Sequence, residues 1–336
     1  MRSIDALGRP LRDLRVSVTD RCNFRCVYCM PRETFGRDFA FVERDELLTF
    51  EEIARMCRIA VGEGVEKIRL TGGEPLLRRR LDKLVAMLSP IDGLVDLALT
   101  TNGALLTKDV ARALRDAGLG RITISADAID AKTFRAISDT HVPVSRVLEA
   151  IEIARETGFS PVKVDAVIMR GMNEPAVVDL ARRYRNTGVI VRFIEYMDVG
   201  NSNGWRLEDV VTGAQILDMI REHWPVEPAT ANYTGEVAQR WRYTDGAGEI
   251  GVITSVTQPF CGDCTRLRLT ASGELYTCLF ASQGHDVRGL LRGGADDETI
   301  ATRLRSIWTA RRDRYSELRS AATPGVRKVE MSHIGG

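Results

Sequence analysis

No stretch of this 336-residue sequence stays apolar for the roughly 20 residues that a bilayer-spanning helix needs. The first residues, MRSIDALGRPLRDLR, mix charge with apolar side chains and lack the unbroken apolar centre of a secretory signal. Charge of one sign is missing too. Lys and Arg number 47 against 46 Asp and Glu, a net charge of +1. No basic field therefore surrounds the chain, which excludes a general role in coating nucleic acid or an anionic membrane. Histidine is scarce, four residues scattered along the chain, and none is assigned catalysis. Repeats and low-complexity tracts are absent. What remains is 44% apolar and 28% charged, enough for a sizeable core in two domains or in one large domain with an appendage, and it is expected in the cytoplasm. Against this background the seven cysteines stand out. An odd count in a chain without an export signal argues for metal or redox chemistry, not disulfides.

Up to about Met197, short aliphatic or β-branched runs alternate with longer stretches of helical period. The runs Leu14 to Val18, Lys67 to Leu70, Asp96 to Thr100, Arg121 to Ser125, Val162 to Val167 and Val189 to Glu195 predict six strands. Thr49 and Glu52 form a T-x-x-E capping box, followed by Ile53, Met56, Cys57, Ala60 and Val61 on one helical face. Further helices are expected from Thr107 to Gly118, Val144 to Thr157 and Glu174 to Asn186. Such alternation implies an α/β fold with parallel strands and right-handed crossovers. Six β/α units can curl into a partial barrel or lie as a doubly wound sheet. After about Gly200 the rhythm changes: a helix near Ala214 to His223 is followed by short strands, expected to be antiparallel, at Ile250 to Ser255, Leu267 to Thr270 and Leu275 to Thr277, then by a charged helix from Asp296 to Leu318. The expected division is residues 1–200 and a smaller module of residues 201–336.

The first cysteine triplet, CNFRCVYC, sets Cys22, Cys26 and Cys29 just past the first strand. Three thiolates can hold three irons of a cubane cluster and leave the fourth iron open to a small chelating ligand. Zinc lacking its fourth ligand, or buried cysteines, is the rival, although C-x3-C-x2-C is not a common zinc spacing. The second triplet is Cys261 and Cys264 of CGDC with Cys278. Here a structural zinc with His285 as fourth ligand competes with a second cluster. Arg266 and Arg268, two apart on an expected strand, project to one side beside the metal. Such a pair suits a polyphosphate through bidentate hydrogen bonds; a solvated strand face is the plainer reading.

CNFRCVYC resembles the cluster-binding signature of the radical S-adenosylmethionine (SAM) enzymes. With CGDCTRLRLTASGELYTCL and the terminal Gly335-Gly336, the resemblance narrows to the GTP 3′,8-cyclase family of molybdenum cofactor biosynthesis, from Arg15 to the C-terminus. It implies a partial (β/α)6 barrel of the radical SAM type with a C-terminal module, two 4Fe-4S clusters on Cys22, Cys26, Cys29 and on Cys261, Cys264, Cys278, and SAM on the open iron of the first. Tyr28, Gly73 of the TGGEP loop, Ser125 and Met197 are implied as SAM contacts. Arg15, Arg69, Thr100, Lys163, Arg266, Leu267 and Arg268 are implied as GTP contacts. The Gly335-Gly336 tail, otherwise a frayed end, is implied to reach the active site and to be needed for the reaction. Expected partners are GTP, an unidentified electron donor and the next enzyme of the molybdopterin pathway, with the chain a monomer or homodimer and neither nucleic acid nor membrane involved.

From the residues alone, several of these positions have plainer roles. Gly72-Gly73 also makes an ordinary turn, Thr100 and Ser125 also serve as turn or cap residues, Met197 is more often core, and Lys163 could pair with Asp165 on the same strand face. The chain departs from the family pattern at Thr265, where Asn is usual, and at Ala126, Ala128 and Ile129 within SADAID. Rival activities are a peptide-modifying radical SAM enzyme, which usually carries more C-terminal cysteines, a two-cluster electron carrier, which needs a fourth ligand for each cluster, and a zinc-stapled binding protein.

Overall fold

The computed structural model describes residues 2–319 and 328–335. The six expected strands form as β1 (Asp13–Ser17), β2 (Lys67–Thr71), β3 (Asp96–Thr101), β4 (Arg121–Ser125), β5 (Val162–Ile168) and β6 (Ile190–Glu195). Period-two alternation gives each strand one apolar and one mixed face. In β5, Val162, Val164, Ala166 and Ile168 are buried in the core, while Lys163, Asp165 and Val167 face a cavity on the other side. The capping box is realised at Thr49: its hydroxyl accepts the Glu52 N–H at 3.1 Å and its own N–H donates to the Glu52 carboxylate at 2.7 Å. The helix it starts, Phe50–Gly62, buries Ile53, Met56, Cys57 and Ala60. Cys57 is a core residue.

The strands pair in chain order, all parallel. Because the order never reverses, right-handed crossovers carry the connecting helices to one face of the sheet. The other face stays free to curl around a site, as in a barrel. A doubly wound sheet would need a switch in strand order that this chain lacks.

Residues beyond 200 extend this same sheet at both edges. Beside β6, β9 (Glu249–Ile253) adds in parallel, followed outward by β8 (Gln239–Tyr243) and β7 (Val226–Ala229) in antiparallel register. Beside β1, β10 (Arg266–Leu269) adds in parallel, followed by antiparallel β11 (Glu274–Tyr276) and β12 (His285–Asp286). The antiparallel pairs are present as expected, but β9 and β10 join the parallel arc. The helix expected over Asp296 to Leu318 divides into Asp297–Thr309 and Tyr315–Leu318. The break falls where Arg311 turns inward, only 4% exposed, to meet Asp5 at 3.5 Å.

Candidate active site

A cavity of about 330 Å³ lies on the concave face. All eight parallel strands line it, through Arg15, Arg69, Thr100, Ser125, Lys163, Arg192, Ile253 and Arg268, and so do the six cysteines of both triplets. Parallel strands deliver their C-terminal ends to one rim, where the loops assemble.

After β1 the chain runs through Thr19 to Arg21 into Cys22, and TGGEP packs against it. A Cβ on Gly72 would lie 2.3 Å from the Thr19 carbonyl oxygen, and one on Gly73 2.3 Å from that of Arg21. The Gly73 N–H donates to Thr19 O at 2.7 Å and the Glu74 N–H to Arg21 O at 2.8 Å. The close approach that the glycines permit is therefore first to the chain's own backbone, although Gly73 also borders the cavity. Glu74, 1% exposed, accepts from Leu76 N (2.9 Å), the Thr101 hydroxyl (2.7 Å) and Asn102 N (2.7 Å). It ties this loop to the one after β3. Burial pushes its carboxyl up to about 7.

Tyr28, Gly73, Ser125 and Met197 all border the cavity. The Tyr28 hydroxyl donates to Asp127 at 2.9 Å, and Asp127 also accepts Val167 N at 2.9 Å; burial pushes Asp127 up to about 7. Asn203 holds the carbonyls of Tyr28 (3.4 Å) and Met197 (2.9 Å) with one side-chain amide.

Register places three arginines side by side: Arg15 pairs with Arg69 on β2 and with Arg268 on β10. Burial, then Arg268 and Arg69, pull Arg15 well below its ordinary value. Burial and Arg192 pull Arg69 down to about 10, and burial and Arg266 do the same to Arg268. Lys163 is pulled down to about 8 by burial, then by Arg192 and Arg121. It does not pair with Asp165, whose carboxylate takes a bidentate grip from Arg192 at 2.6 and 2.7 Å. Among the described residues neither Arg15 nor Lys163 has a hydrogen-bond or ion-pair partner. Arg69 spends one N–H on the Thr100 hydroxyl at 3.1 Å. Cations this crowded and this poorly paired, Arg69 and Arg268 buried and Arg15 and Lys163 half-buried, mark a site for an anion.

At the other triplet, the Cys264 sulfur accepts from Arg266 at 3.2 Å and Arg311 at 3.0 Å. Burial pushes this thiol up, but the two guanidinia outweigh it and hold it down at about 6. Burial pushes Cys278 up to about 11, as it does Cys22, where Glu74 adds to it. Backbone N–H groups of Phe24 and Phe280 lie 3.4 and 3.5 Å from the Cys22 and Cys278 sulfurs. Among the described residues no three His, Cys, Asp or Glu side chains converge as a single metal ion requires, and His285 sits in edge strand β12. The zinc reading with His285 as fourth ligand thus lacks its geometry. Two sets of three free thiols around one cavity, with N–H donors on their sulfurs, fit two cubane clusters.

The tail enters the barrel. Gly335 takes a left-handed φ of 74°, its carbonyl accepts from Arg268, and a Cβ there would lie 2.6 Å from Thr71 Cγ2. Gly336 lies outside the described residues. Two further positions lie off the cavity. Leu267 alternates away from Arg266 and Arg268 and is buried in the core, so its side chain does not reach the cavity. Thr265 is buried, with its hydroxyl donating to Asp13 at 2.5 Å. Sequence reasoning passed over Arg192, Lys67, Arg121, Asp127 and Arg311, all of which line the cavity. Arg192 and Lys67 carried the same signal that singled out Lys163, a charge on the inward face of an apolar strand.

The chain is similar to known proteins along nearly its whole length. Residues 16–184 match the radical SAM superfamily model and residues 189–317 the Molybdenum Cofactor Synthesis C model. A GTP 3′,8-cyclase of Acidothermus cellulolyticus is 55% identical, with 99% of this chain and 98% of that protein covered. One of Staphylococcus epidermidis is 48% identical over the same shares. Streptococcus suis SuiB bound to S-adenosylmethionine shares the fold at 14% identity, with a TM-score of 0.62 over 94% of this chain and 72% of that one. Identity near one half along essentially the whole length decides the matter: the chain belongs to the GTP 3′,8-cyclase family of radical SAM proteins.

Proposed function

We propose that the cavity binds GTP and that the chain joins guanine C8 to the ribose C3′, giving the cyclised nucleotide from which the molybdenum cofactor is built. The observation that carries this is the row Arg268, Arg15 and Arg69, with Lys163 on the same cavity wall, half-buried or buried and short of anionic partners between two cysteine triplets. GTP brings about four negative charges, and charge-assisted, bidentate contacts to phosphate are what such a row offers. Cys22, Cys26 and Cys29 would hold one 4Fe-4S cluster and Cys261, Cys264 and Cys278 the other, with SAM against Tyr28, Gly73, Ser125 and Met197. When bound, this set supplies one-electron chemistry that makes a carbon radical able to remove a hydrogen atom.

The chain's own residues bind, orient and exclude water. Arg15, Arg69, Lys163, Arg266 and Arg268 fix the nucleotide, Thr100 is aimed by Arg69, and Leu267 offers only its backbone. Gly335 sits in the barrel beside Arg268, and the tail is needed to position the reacting ribose. Fixed geometry of this kind replaces translational freedom and keeps solvent from a reactive centre. Residues 1–200 supply the SAM contacts and, through Arg15, Arg69, Thr100 and Lys163, part of the nucleotide site, which residues 201–336 complete through Arg266 and Arg268. An electron donor and hand-off to the next enzyme of the pathway complete the reading. No helix among the described residues is long and apolar enough to cross a membrane.

Anaerobic reconstitution followed by incubation with SAM, a reductant and GTP tests the proposal. About eight irons per chain, four per cluster, and GTP-dependent formation of the cyclised nucleotide are expected. SAM cleavage with GTP left intact would exclude GTP as the substrate.

A further inference from the structure

The Cys261–Cys264 loop is gripped by a buried cluster of Asp5, Arg9 and Arg311, of which Arg311 also borders the cavity. Asp5, on the N-terminal arm, has a side chain with 0% exposure and sits between Arg9 and Arg311, whose side chains are 2% and 1% exposed. Its carboxylate accepts Arg9 Nε at 2.6 Å and the backbone N–H groups of Leu7 and Arg9 at 2.9 Å, with Arg311 at 3.5 Å. Arg9 then donates to the carbonyls of Cys261 (2.7 Å) and Asp313 (2.8 Å). Arg311 donates to the carbonyl of Cys264 at 2.6 Å and to its sulfur at 3.0 Å, with its guanidinium 4.6 Å over the Trp308 ring. Trp308 in turn donates to the carbonyl of Arg9 at 3.2 Å.

Arg311 also meets Asp313 at 3.5 Å, so two carboxylates balance the two guanidinia overall, but it is a cationic N–H of Arg311, at 3.0 Å, that faces the Cys264 sulfur. Cys22, by contrast, receives only neutral donors, Phe24 N and the Asn102 amide. Positive charge and N–H donation at a cluster sulfur favour the reduced cluster, and groups that orient a ligand also govern its retention.

We propose that Arg311, aimed by Asp5, is a positioning residue for the second cluster: it fixes Cys264 and raises the reduction potential of that cluster alone. The proposal rests on the reading that Cys261, Cys264 and Cys278 hold a 4Fe-4S cluster.

The test uses full-length reconstituted protein as wild type, Arg311→Met, Arg311→Lys and Asp5→Asn. Iron is counted and each cluster is titrated by electron paramagnetic resonance, its signal assigned from chains lacking one or the other cysteine triplet. In Arg311→Met the second cluster is expected to titrate at lower potential or to lose its iron, with the first cluster unchanged in both respects. Arg311→Lys, which keeps the charge and loses the fork, recovers part of the shift, and Asp5→Asn moves the second cluster without touching a ligand. A two-cluster wild type whose variants titrate unchanged, or whose two clusters shift together, overturns the role of Arg311. A wild type that loads one cluster only overturns the two-cluster reading and the proposal with it.

Discussion

Replacing Arg15 by Met separates what the arginine row does for binding from what it costs the fold. Met keeps an unbranched stem and removes the charge that sits between Arg69 and Arg268 on neighbouring strands. Two like charges 5 to 8 Å apart repel by about 2 to 3 kcal/mol at an effective dielectric near 20. Part of this is already relieved by water in the open cavity, so about 1 kcal/mol of stabilisation is expected in the absence of nucleotide. For a chain of this length that corresponds to an unfolding midpoint about 2 °C higher. Binding moves the other way. A hydrogen bond to a charged group contributes about 1.5 to 3 kcal/mol, so GTP affinity should fall roughly 10- to 150-fold. Both quantities are measured on the cluster-loaded protein, by anaerobic scanning calorimetry at one scan rate and by equilibrium dialysis of GTP. Opposite signs are the expected signature, greater stability with weaker binding. A lower midpoint together with unchanged affinity would show that Arg15 is a structural strand residue and that the anion site lies elsewhere.

Two other outcomes follow from the same geometry. Lys67 and Lys163 are each pulled down to about 8, chiefly by burial, so each carries roughly half a charge at pH 8 and nearly a full one at pH 6.5. A bound triphosphate raises both, so binding at pH 8 should take up about one proton and affinity should weaken as pH rises above 8. Calorimetric titration in two buffers of different ionisation enthalpy measures this, and proton release at pH 8 would contradict it. At Gly73, a methyl group 2.3 Å from the Arg21 carbonyl must move the backbone leading to Cys22. Gly73→Ala should cost about 1 to 3 kcal/mol and lower iron retention at the first triplet while leaving GTP affinity within about twofold; iron content equal to wild type would refute the packing argument.

The order and type of the first six strands were legible because most connections carry an amphipathic helix with an identifiable start, such as the Thr49 capping box; the eight-residue helix Leu81–Leu88 between β2 and β3 has no side-chain cap and was not legible. Strand pairing between distant segments was not. Short apolar runs such as Leu267 to Thr270 suit a hairpin or a parallel strand equally well, and only the register of Arg266 and Arg268 opposite Asp13 and Arg15 shows β10 joining the barrel. The break in the last helix was hidden for a similar reason. Helical period continues through Arg311, yet its guanidinium is drawn to Asp5, 306 residues away in sequence, and a buried ion pair with a hydrogen-bonded partner outweighs local propensity.

The candidate site divides along the same line. Cysteines and glycines announce themselves by spacing, since few other residue types satisfy a cluster or a backbone contact as close as that of Gly72 with Thr19. Charged residues do not, because an arginine on a strand reads alike whether it meets solvent, a carboxylate or a ligand. Lys163 and Asp165 illustrate it: adjacent on one face, they suggested a pair, but parallel register sets Asp165 opposite Arg192 and leaves the lysine free. That exchange has a consequence for the chemistry. Had Lys163 been neutralised by Asp165, the cavity would hold one free cation fewer on β5, and the arc facing a polyanion would stop at β2. With Arg192 holding Asp165, that carboxylate is neutralised while Lys163 extends the cationic arc across the barrel from Arg268.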